Sequence, residues 1–239
     1  MIRKLIRKLP GTVKLHRMTK LALQRIKHFN NNTEDIFSRI YSDNSWGGLS
    51  SVSGRGSDPD QTAIVAEELP KLVNKIGAKR LLDIPCGDFN WMRNVDLGEV
   101  EYIGADIVED LINKNIKEHT AHNIRFEHLD LIKDKLPQVD LVLCRDCMVH
   151  LTNRDIAEAL KNICESGSQF LLATTFTNRR SNVDITTGDW RPINLQSKPF
   201  SLPDPILLID EKCEDEGGIY SDKSLGLWKI STIASVAKN

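Results

Sequence analysis

The sequence contains no uninterrupted apolar run of 18 or more residues, and its N-terminus lacks the continuous apolar centre of a signal peptide. Both absences argue against a membrane-spanning or secreted chain, so we expect a soluble cytoplasmic protein. The chain also has only five cysteines, which are odd in number and widely scattered. Such spacing does not suit a disulfide framework and favours free thiols in a reducing compartment.

The cysteine pattern also gives little support for a metal site. Cys144 and Cys147 form a Cys-x-x-Cys pair, which is one half of a common zinc-binding or redox motif. No second pair exists, and Cys144 belongs to an apolar stretch that we expect to be a buried strand. We therefore predict no bound metal.

Acidic residues are absent from positions 1 to 28, which hold nine lysines and arginines. Because the total charge is −1, the rest of the chain carries −10, and an acidic body argues against broad nucleic-acid binding. Residues 1–33 form a basic N-terminal arm with interspersed leucine and isoleucine. The arm is compatible with peripheral contact at the inner membrane face, with an acidic protein partner, or with a solvated helix or tail.

What the chain does have is enough apolar residue for one full core: 40% of its 239 residues are hydrophobic and 27% are charged. Residues 34–58 combine a helical pattern with a Gly/Ser-rich loop that we interpret as a lid. Asp58-Pro59 is a strong helix start. Residues 59–239 are therefore predicted to form the main domain.

Apolar strands and amphipathic helices alternate through that domain, which predicts an α/β fold with a doubly wound, mostly parallel sheet and helices on both faces. The last two strands have no helix predicted between them, so they should form an antiparallel pair. The seven predicted strands are 80–84, 101–105, 124–129, 140–144, 169–176, 205–210 and 225–230.

Polar residues follow four successive strands, at the sheet edge where ligands of such folds bind. They are Asp83 to Asp88, Asp106, Asp130 and the pair Arg145-Asp146. Asp106 lies 19 residues beyond Gly87, close to the spacing at which an acid binds the ribose hydroxyls of a nucleoside.

The turn after the first strand lacks the glycines that a pyrophosphate requires. Pro85, Asp88 and Phe89 stand where glycines would allow close approach, and Asp88 would repel a phosphate. A cationic ligand reverses that sign. The residues therefore favour an adenosyl-sulfonium site, with a dinucleotide as the less favoured alternative.

Four stretches, "LLDIPCGDFNWM", "YIGADIVEDLI", "FEHLDL" and "DLVLCRDCMVHLT", resemble in order the motifs of class I, Rossmann-like S-adenosylmethionine-dependent methyltransferases. The resemblance spans roughly residues 60 to 235 and is greatest to a bacterial group, largely without assigned substrates, that carries Pro-Cys-Gly-Asp-Phe. Pro85 and Phe89 depart from the usual glycine pattern.

The resemblance implies S-adenosylmethionine as cofactor, with Asp83 and Gly87 shaping the methionine pocket and Asp106 binding the ribose. Asp130 and Leu131 would contact the adenine, and Asp88 would contact either cofactor or acceptor. Residues at the N-terminus of the helix that begins at Pro59 could hold the cofactor's carboxylate or close a lid. The remaining residues predicted to bind the cofactor are Cys86, Trp91, Ile107, Arg145 and Ser57.

A methyl acceptor with a hydroxyl group needs a base, and Asp146 and His150 are the predicted catalytic residues. The alternatives are a structural hydrogen bond for His150 and a buried ion pair with Arg145 for Asp146. In the long irregular segment 177–204, four residues are predicted to bind an acceptor that bears phosphate or carboxylate, unless the segment is only a surface loop. They are Arg179, Arg180, Trp190 and Arg191.

The sequence thus predicts an enzyme that transfers a methyl group to a small-molecule or glycan acceptor at oxygen. A precursor of a surface polysaccharide is one candidate acceptor. No nucleic-acid acceptor is expected, because "RDCM" replaces the aromatic-proline tetrapeptide of base-methylating relatives. The alternatives are a protein methyltransferase and a non-catalytic module that keeps the fold.

Overall fold

The computed structural model describes residues 32–47 and 50–236. Almost all of the predicted basic arm, residues 1–33, lies outside these ranges. Within them, no helix is long and apolar enough to cross a membrane.

A seven-stranded sheet with the order β3-β2-β1-β4-β5-β7-β6 forms the centre of the described chain. Strands β1 to β5 are parallel to one another, and β7 runs antiparallel to both β5 and β6. The order reverses between β1 and β4, which places the ends of those two strands beside a crevice. The strands are β1 Arg80–Asp83, β2 Glu101–Asp106, β3 Ile124–His128, β4 Leu141–Cys144, β5 Phe170–Phe176, β6 Leu207–Asp210 and β7 Lys223–Lys229.

The helices begin and end where the sequence provides caps. Proline at the first position starts the second helix, and Gly77 ends it in a left-handed conformation with φ of 66°. Thr152 accepts a hydrogen bond from the Asp155 amide and starts the fourth. The helices are α1 Thr33–Ser42, α2 Pro59–Ile76, α3 Glu109–His119, α4 Asn153–Glu165, α5 Asp215–Gly218 and α6 Ile230–Val236.

Two apolar layers pack against opposite faces of the sheet. Leu81 and Leu82 are adjacent in β1 and therefore point in opposite directions. Leu81 packs in one cluster with Val65 and Leu69 of α2, while Leu82 packs in the other with Ile156 of α4. Burial on both faces explains why β4, Leu-Val-Leu-Cys, contains no polar residue, and why the two central residues of β1 are leucines.

The predicted fold class is confirmed: the sheet has seven strands, is mostly parallel and ends in an antiparallel pair. Two details differ. The one-turn helix α5 lies between β6 and β7, and β7 begins at Lys223, two residues before the predicted start. Lys223 and Ser224 are polar but buried, so apolar patterning did not include them in the strand.

Candidate active site

A cavity of about 340 Å³ opens at the carboxyl ends of the parallel strands, a volume typical of small-molecule sites. One side, the acidic half, is formed by residues that follow β1, β2 and β3, including Asp83, Asp106 and Asp130. The other side, the aromatic half, contains His150 and several aromatic rings. Those rings belong to Phe37, Tyr41, Trp46, Phe176, Trp190 and Tyr220.

Asp83 ends β1 and is almost fully buried. The Tyr102 hydroxyl donates a hydrogen bond of 2.6 Å to Asp83 Oδ2. Burial raises the pKa of Asp83 to about 7, although the bond from Tyr102 and the nearby Arg145 oppose the shift. A cationic ligand would favour the ionised form of this carboxyl.

Asp106 ends β2 and anchors the turn that follows β1. Its two carboxylate oxygens accept hydrogen bonds from the amides of Gly87, at 3.1 Å, and Val108, at 3.0 Å. Burial raises the pKa of Asp106 to about 6, and the two amides limit that shift. Cys86 and Ile107 line the cavity beside it. The sequence interval between Gly87 and Asp106 therefore corresponds to a direct contact.

Asp130 and Leu131 follow β3 and line the far end of the acidic half. The Ile132 amide donates to Asp130 Oδ1 at 2.8 Å, and Lys133 Nζ lies 3.0 Å from Oδ2. These contacts hold the carboxylate at the sheet edge. All three strand-end acids thus lie along one wall.

Residues 50–58, here called the strap, contribute six residues to the cavity lining and are hydrogen-bonded to the turn after β1. Asp88 accepts hydrogen bonds from Ser51 Oγ, at 2.9 Å, and the Val52 amide, at 3.0 Å. In return, the Asp88 amide donates to Ser53 Oγ. Asp88 does not line the cavity, whereas Ser57 and Trp91 do. The hydrogen bonds of Asp88 thus hold the strap against the turn after β1.

Glycine is required where the strap meets its neighbours. A Cβ atom on Gly87, whose φ is 57°, would lie 2.2 Å from Ser53 Oγ, and one on Gly56 would lie 2.7 Å from Asp146 Oδ2. Both distances are shorter than carbon–oxygen contact permits. The strap therefore packs on the cavity wall at backbone distance.

Arg145, Asp146, Glu211 and Lys223 form a buried charge cluster behind the strap. Arg145 binds Glu211 Oε2 at 2.6 Å and donates to the Gly56 carbonyl at 2.8 Å. Lys223 Nζ lies 2.7 Å from Asp146 Oδ2. Burial alone would raise the pKa of Asp146, but Lys223 and Arg145 lower it to about 2. Asp146 is therefore ionised and paired at neutral pH.

His150 lies on a one-turn helix, Met148–His150, after β4. Its Nδ1 lies 2.9 Å from the Asp189 carbonyl, and its ring stacks on Trp46 with 4.7 Å between centroids. Burial lowers the pKa of His150, which favours the neutral imidazole. A carbonyl partner requires a proton on Nδ1, so Nε2 carries the lone pair.

Of the four residues predicted to bind substrate, only Trp190 lines the cavity. Arg191 is buried and donates to the carbonyls of Val183, Met148 and Leu151. Arg179 pairs with Asp222 at 2.8 Å, and Arg180 is exposed. Arg191 instead fixes the loop, because its five donors can bind several carbonyls that a folded loop leaves unpaired.

Sequence reasoning did not identify Lys223, Phe176 or Tyr220 as site residues. Trp190 and Tyr220 meet edge to face at 4.9 Å, and both lie near Phe176. Tyr220 and Lys223 follow a short polar loop that carries no motif. The sequence points to Tyr220 and Lys223 only through the general expectation that residues at the ligand-binding edge of the sheet lie close together.

Residues 82–166 match the family model described as a methyltransferase domain. The matched segment makes up about a third of the 239 residues. No curated protein matches the chain. The matched residues run from β1 to just beyond α4 and contain Asp83, Asp106, Asp130, Arg145, Asp146 and His150. The matched segment thus includes the three strand-end carboxylates of the acidic half.

Solved structures place the domain in the Rossmann-like class. Human N-acetylserotonin methyltransferase, solved in complex with SAM, has 13% identity and a TM-score of 0.56 over 85% of this chain and 61% of that one. The methyltransferase domain of bacterial CtHen1 has 16% identity and a TM-score of 0.51, over 72% and 98%. The chain thus spans less than two thirds of the human enzyme. These likenesses establish the fold.

Proposed function

We propose that the protein is an S-adenosylmethionine-dependent methyltransferase that methylates a hydroxyl group of a small-molecule or glycan acceptor. The observation that carries the proposal is the cavity itself, in which three strand-end carboxylates face one half and a neutral histidine lies in the other. The domain match and the cofactor named in the human structure support it.

The acidic half suits the chemical groups of S-adenosylmethionine. Asp106 is held by two amides and can accept hydrogen bonds from both ribose hydroxyls. Asp130 and Leu131 would hold the adenine, and Asp83 with the turn Pro85–Gly87 would hold the methionine portion. Ser57, Cys86, Trp91, Ile107 and Arg145 would complete this surface. When bound, the cofactor supplies a methyl group on a positively charged sulfur, which makes it an activated donor.

His150 is the proposed general base. The Asp189 carbonyl fixes the tautomer, so the lone pair on Nε2 is able to accept the acceptor's hydroxyl proton. Trp46 restrains the ring from one face. Asp146, with a pKa of about 2, is a weak base at neutral pH. We assign Asp146 instead to positioning Lys223 and the wall against which the strap packs.

Calorimetric titration with S-adenosylmethionine and S-adenosylhomocysteine tests the cofactor assignment directly. We expect saturable binding of both, and absence of binding would contradict the proposal. Transfer of a labelled methyl group into a fractionated cell extract then identifies the acceptor class. Label in small molecules or glycans is expected, label in protein would support a protein methyltransferase, and cofactor binding without any transfer would indicate a non-catalytic module.

A further inference from the structure

The cations that line the aromatic half already have carboxylate partners. Lys223 Nζ lies 2.7 Å from Asp146 and 3.3 Å from Glu211. Arg55 pairs with three acids at 3.2, 2.7 and 3.3 Å, namely Asp58, Asp60 and Asp215. An anionic acceptor would have to compete with these partners for each cation. The lining therefore offers no ready counter-charge to a phosphate or carboxylate.

Asp146 is the only carboxylate among the described residues that lines this half, and it is equally occupied. Asp146 contacts Lys223 and lies 3.4 Å from Arg145. A cationic acceptor would meet a negative charge that two positive charges already compensate. Burying an unpaired ammonium group beside this cluster is unfavourable. An acceptor charge of either sign is thus disfavoured, because the charged side chains that line this half are already paired with one another.

Aromatic rings provide most of the remaining surface. Trp190 is 43% exposed although it is a large apolar side chain, and it lies at the cavity lining. Trp46 is half-buried and lies on the face of His150. Asp189, whose carbonyl holds His150, immediately precedes Trp190. The Trp46 ring thus contacts the proposed base directly, and the backbone next to Trp190 binds that base through the Asp189 carbonyl.

We propose that the aromatic half binds an uncharged ring compound that carries a hydroxyl group, either an aromatic compound or a sugar, with Trp190 and Trp46 as its contact surfaces. This inference rests on the proposed function and specifies its acceptor. Indole faces provide large, rigid contact area for rings, and T-shaped or stacked geometry gives orientation. A hydroxyl on such a ring would be presented toward His150 Nε2.

Three probes with one scaffold and different charge test the proposal: 4-hydroxybenzyl alcohol, 4-hydroxybenzoate and 4-hydroxybenzylamine. Binding to the full-length protein with saturating S-adenosylhomocysteine is measured by saturation-transfer NMR and titration. We expect the neutral probe to bind at least about tenfold more tightly than either charged one. Methyl β-glucopyranoside, a neutral sugar ring, distinguishes an aromatic ligand from a sugar ligand.

Trp190→Ala and Trp46→Ala should each weaken the neutral probe about tenfold, since each removes a ring surface while the charge cluster stays intact. Arg180→Ala is the matched control, because Arg180 lies in the same loop but is exposed and away from the cavity. That variant should bind the neutral probe as the native protein does. Circular dichroism and S-adenosylhomocysteine titration check that each variant is folded.

Tighter binding of the benzoate or the amine would overturn the proposal, as would equal binding of all three. Failure of both neutral probes to bind while S-adenosylhomocysteine binds would also overturn it, and would leave the cofactor assignment standing. Failure of S-adenosylhomocysteine to bind would instead contradict the proposed function. The two readouts therefore separate the two claims.

Discussion

The two halves of the cavity are built in different ways. The acidic half takes one carboxylate from the end of each of three neighbouring parallel strands, and burial raises the pKa of two of them. The aromatic half takes rings from segments far apart in the chain and neutralises its charges in pairs. In the function we propose, the sheet determines where the cationic nucleoside fits, whereas the loops determine which acceptor receives its methyl group.

The largest effect is expected from removing the proposed base in the aromatic half. His150→Ala should lower kcat by roughly 100- to 10,000-fold, the usual contribution of a general base, while cofactor affinity stays within about twofold. Single-turnover methyl transfer and calorimetry measure the two quantities. His122→Ala, at an exposed histidine, is the control. Full activity in His150→Ala would remove His150 from the mechanism.

The next effect belongs to the acidic half. Asp106→Asn replaces a charged acceptor of two ribose hydrogen bonds, so affinity for S-adenosylhomocysteine should fall about 100-fold, since each such bond contributes roughly 1.5–3 kcal/mol. Calorimetry measures the loss, and Asp110→Asn at an exposed position controls for the change of charge. Unchanged affinity with normal thermal stability would place the ribose elsewhere.

A pH series separates the halves further. The pKa of Asp106 is raised from its usual 3.8 to about 6, so its contribution to folding is present below about pH 4 and is lost as the pH rises through 6. A cationic ligand prefers the ionised form, hence affinity for S-adenosylmethionine should rise about tenfold between pH 5 and 7.5. Isothermal titration measures this. Asp83, whose pKa of about 7 lies in the same range, keeps part of this pH dependence. Asp106→Asn should therefore make the profile shallower, and an equally steep profile in that variant would contradict the assignment.

The smallest effect is expected from weakening the hydrogen bonds between the strap and Asp88. Asp88→Asn keeps one carbonyl oxygen and loses the charge that holds Ser51 and Val52. We expect the strap to lose about 1 kcal/mol of stabilisation, which corresponds to roughly fivefold faster dissociation of S-adenosylhomocysteine. Stopped-flow tryptophan fluorescence measures this rate. Glu158→Gln, exposed on α4, is the control. An unchanged rate would mean that the strap does not limit exit.

The sequence predicted the sheet and the acidic half because both depend on local patterns. The parallel strands are apolar runs, and an acid that follows such a run lies at the ligand-binding edge wherever the chain goes next. Helix α2 begins at Pro59, where the Asp58-Pro59 pair predicted a helix start. Asp106 contacts the Gly87 turn as its spacing indicated.

The aromatic half depends on pairings between distant residues, which a local pattern does not contain. Arg191 is buried against loop carbonyls, although an arginine in a long loop suggested ligand binding. Lys223 is buried because Asp146, 77 positions earlier, provides its counter-charge. Such partners become visible only when the fold brings β4, β6 and β7 together. Arg179 and Arg191 are thus bound within the protein, and we propose the aromatic surface as the acceptor site.

The strap has a consequence for the sequence of events in a catalytic cycle. It is hydrogen-bonded to the turn that borders the acidic half, whereas Trp190 at the outer part of the cavity is partly exposed. We therefore expect that a ligand in the acidic half leaves only after the hydrogen bonds between the strap and Asp88 break. A ligand bound against Trp190 can leave while those hydrogen bonds stay intact. We expect the cofactor to be the first reactant to enter and its spent form the last product to depart.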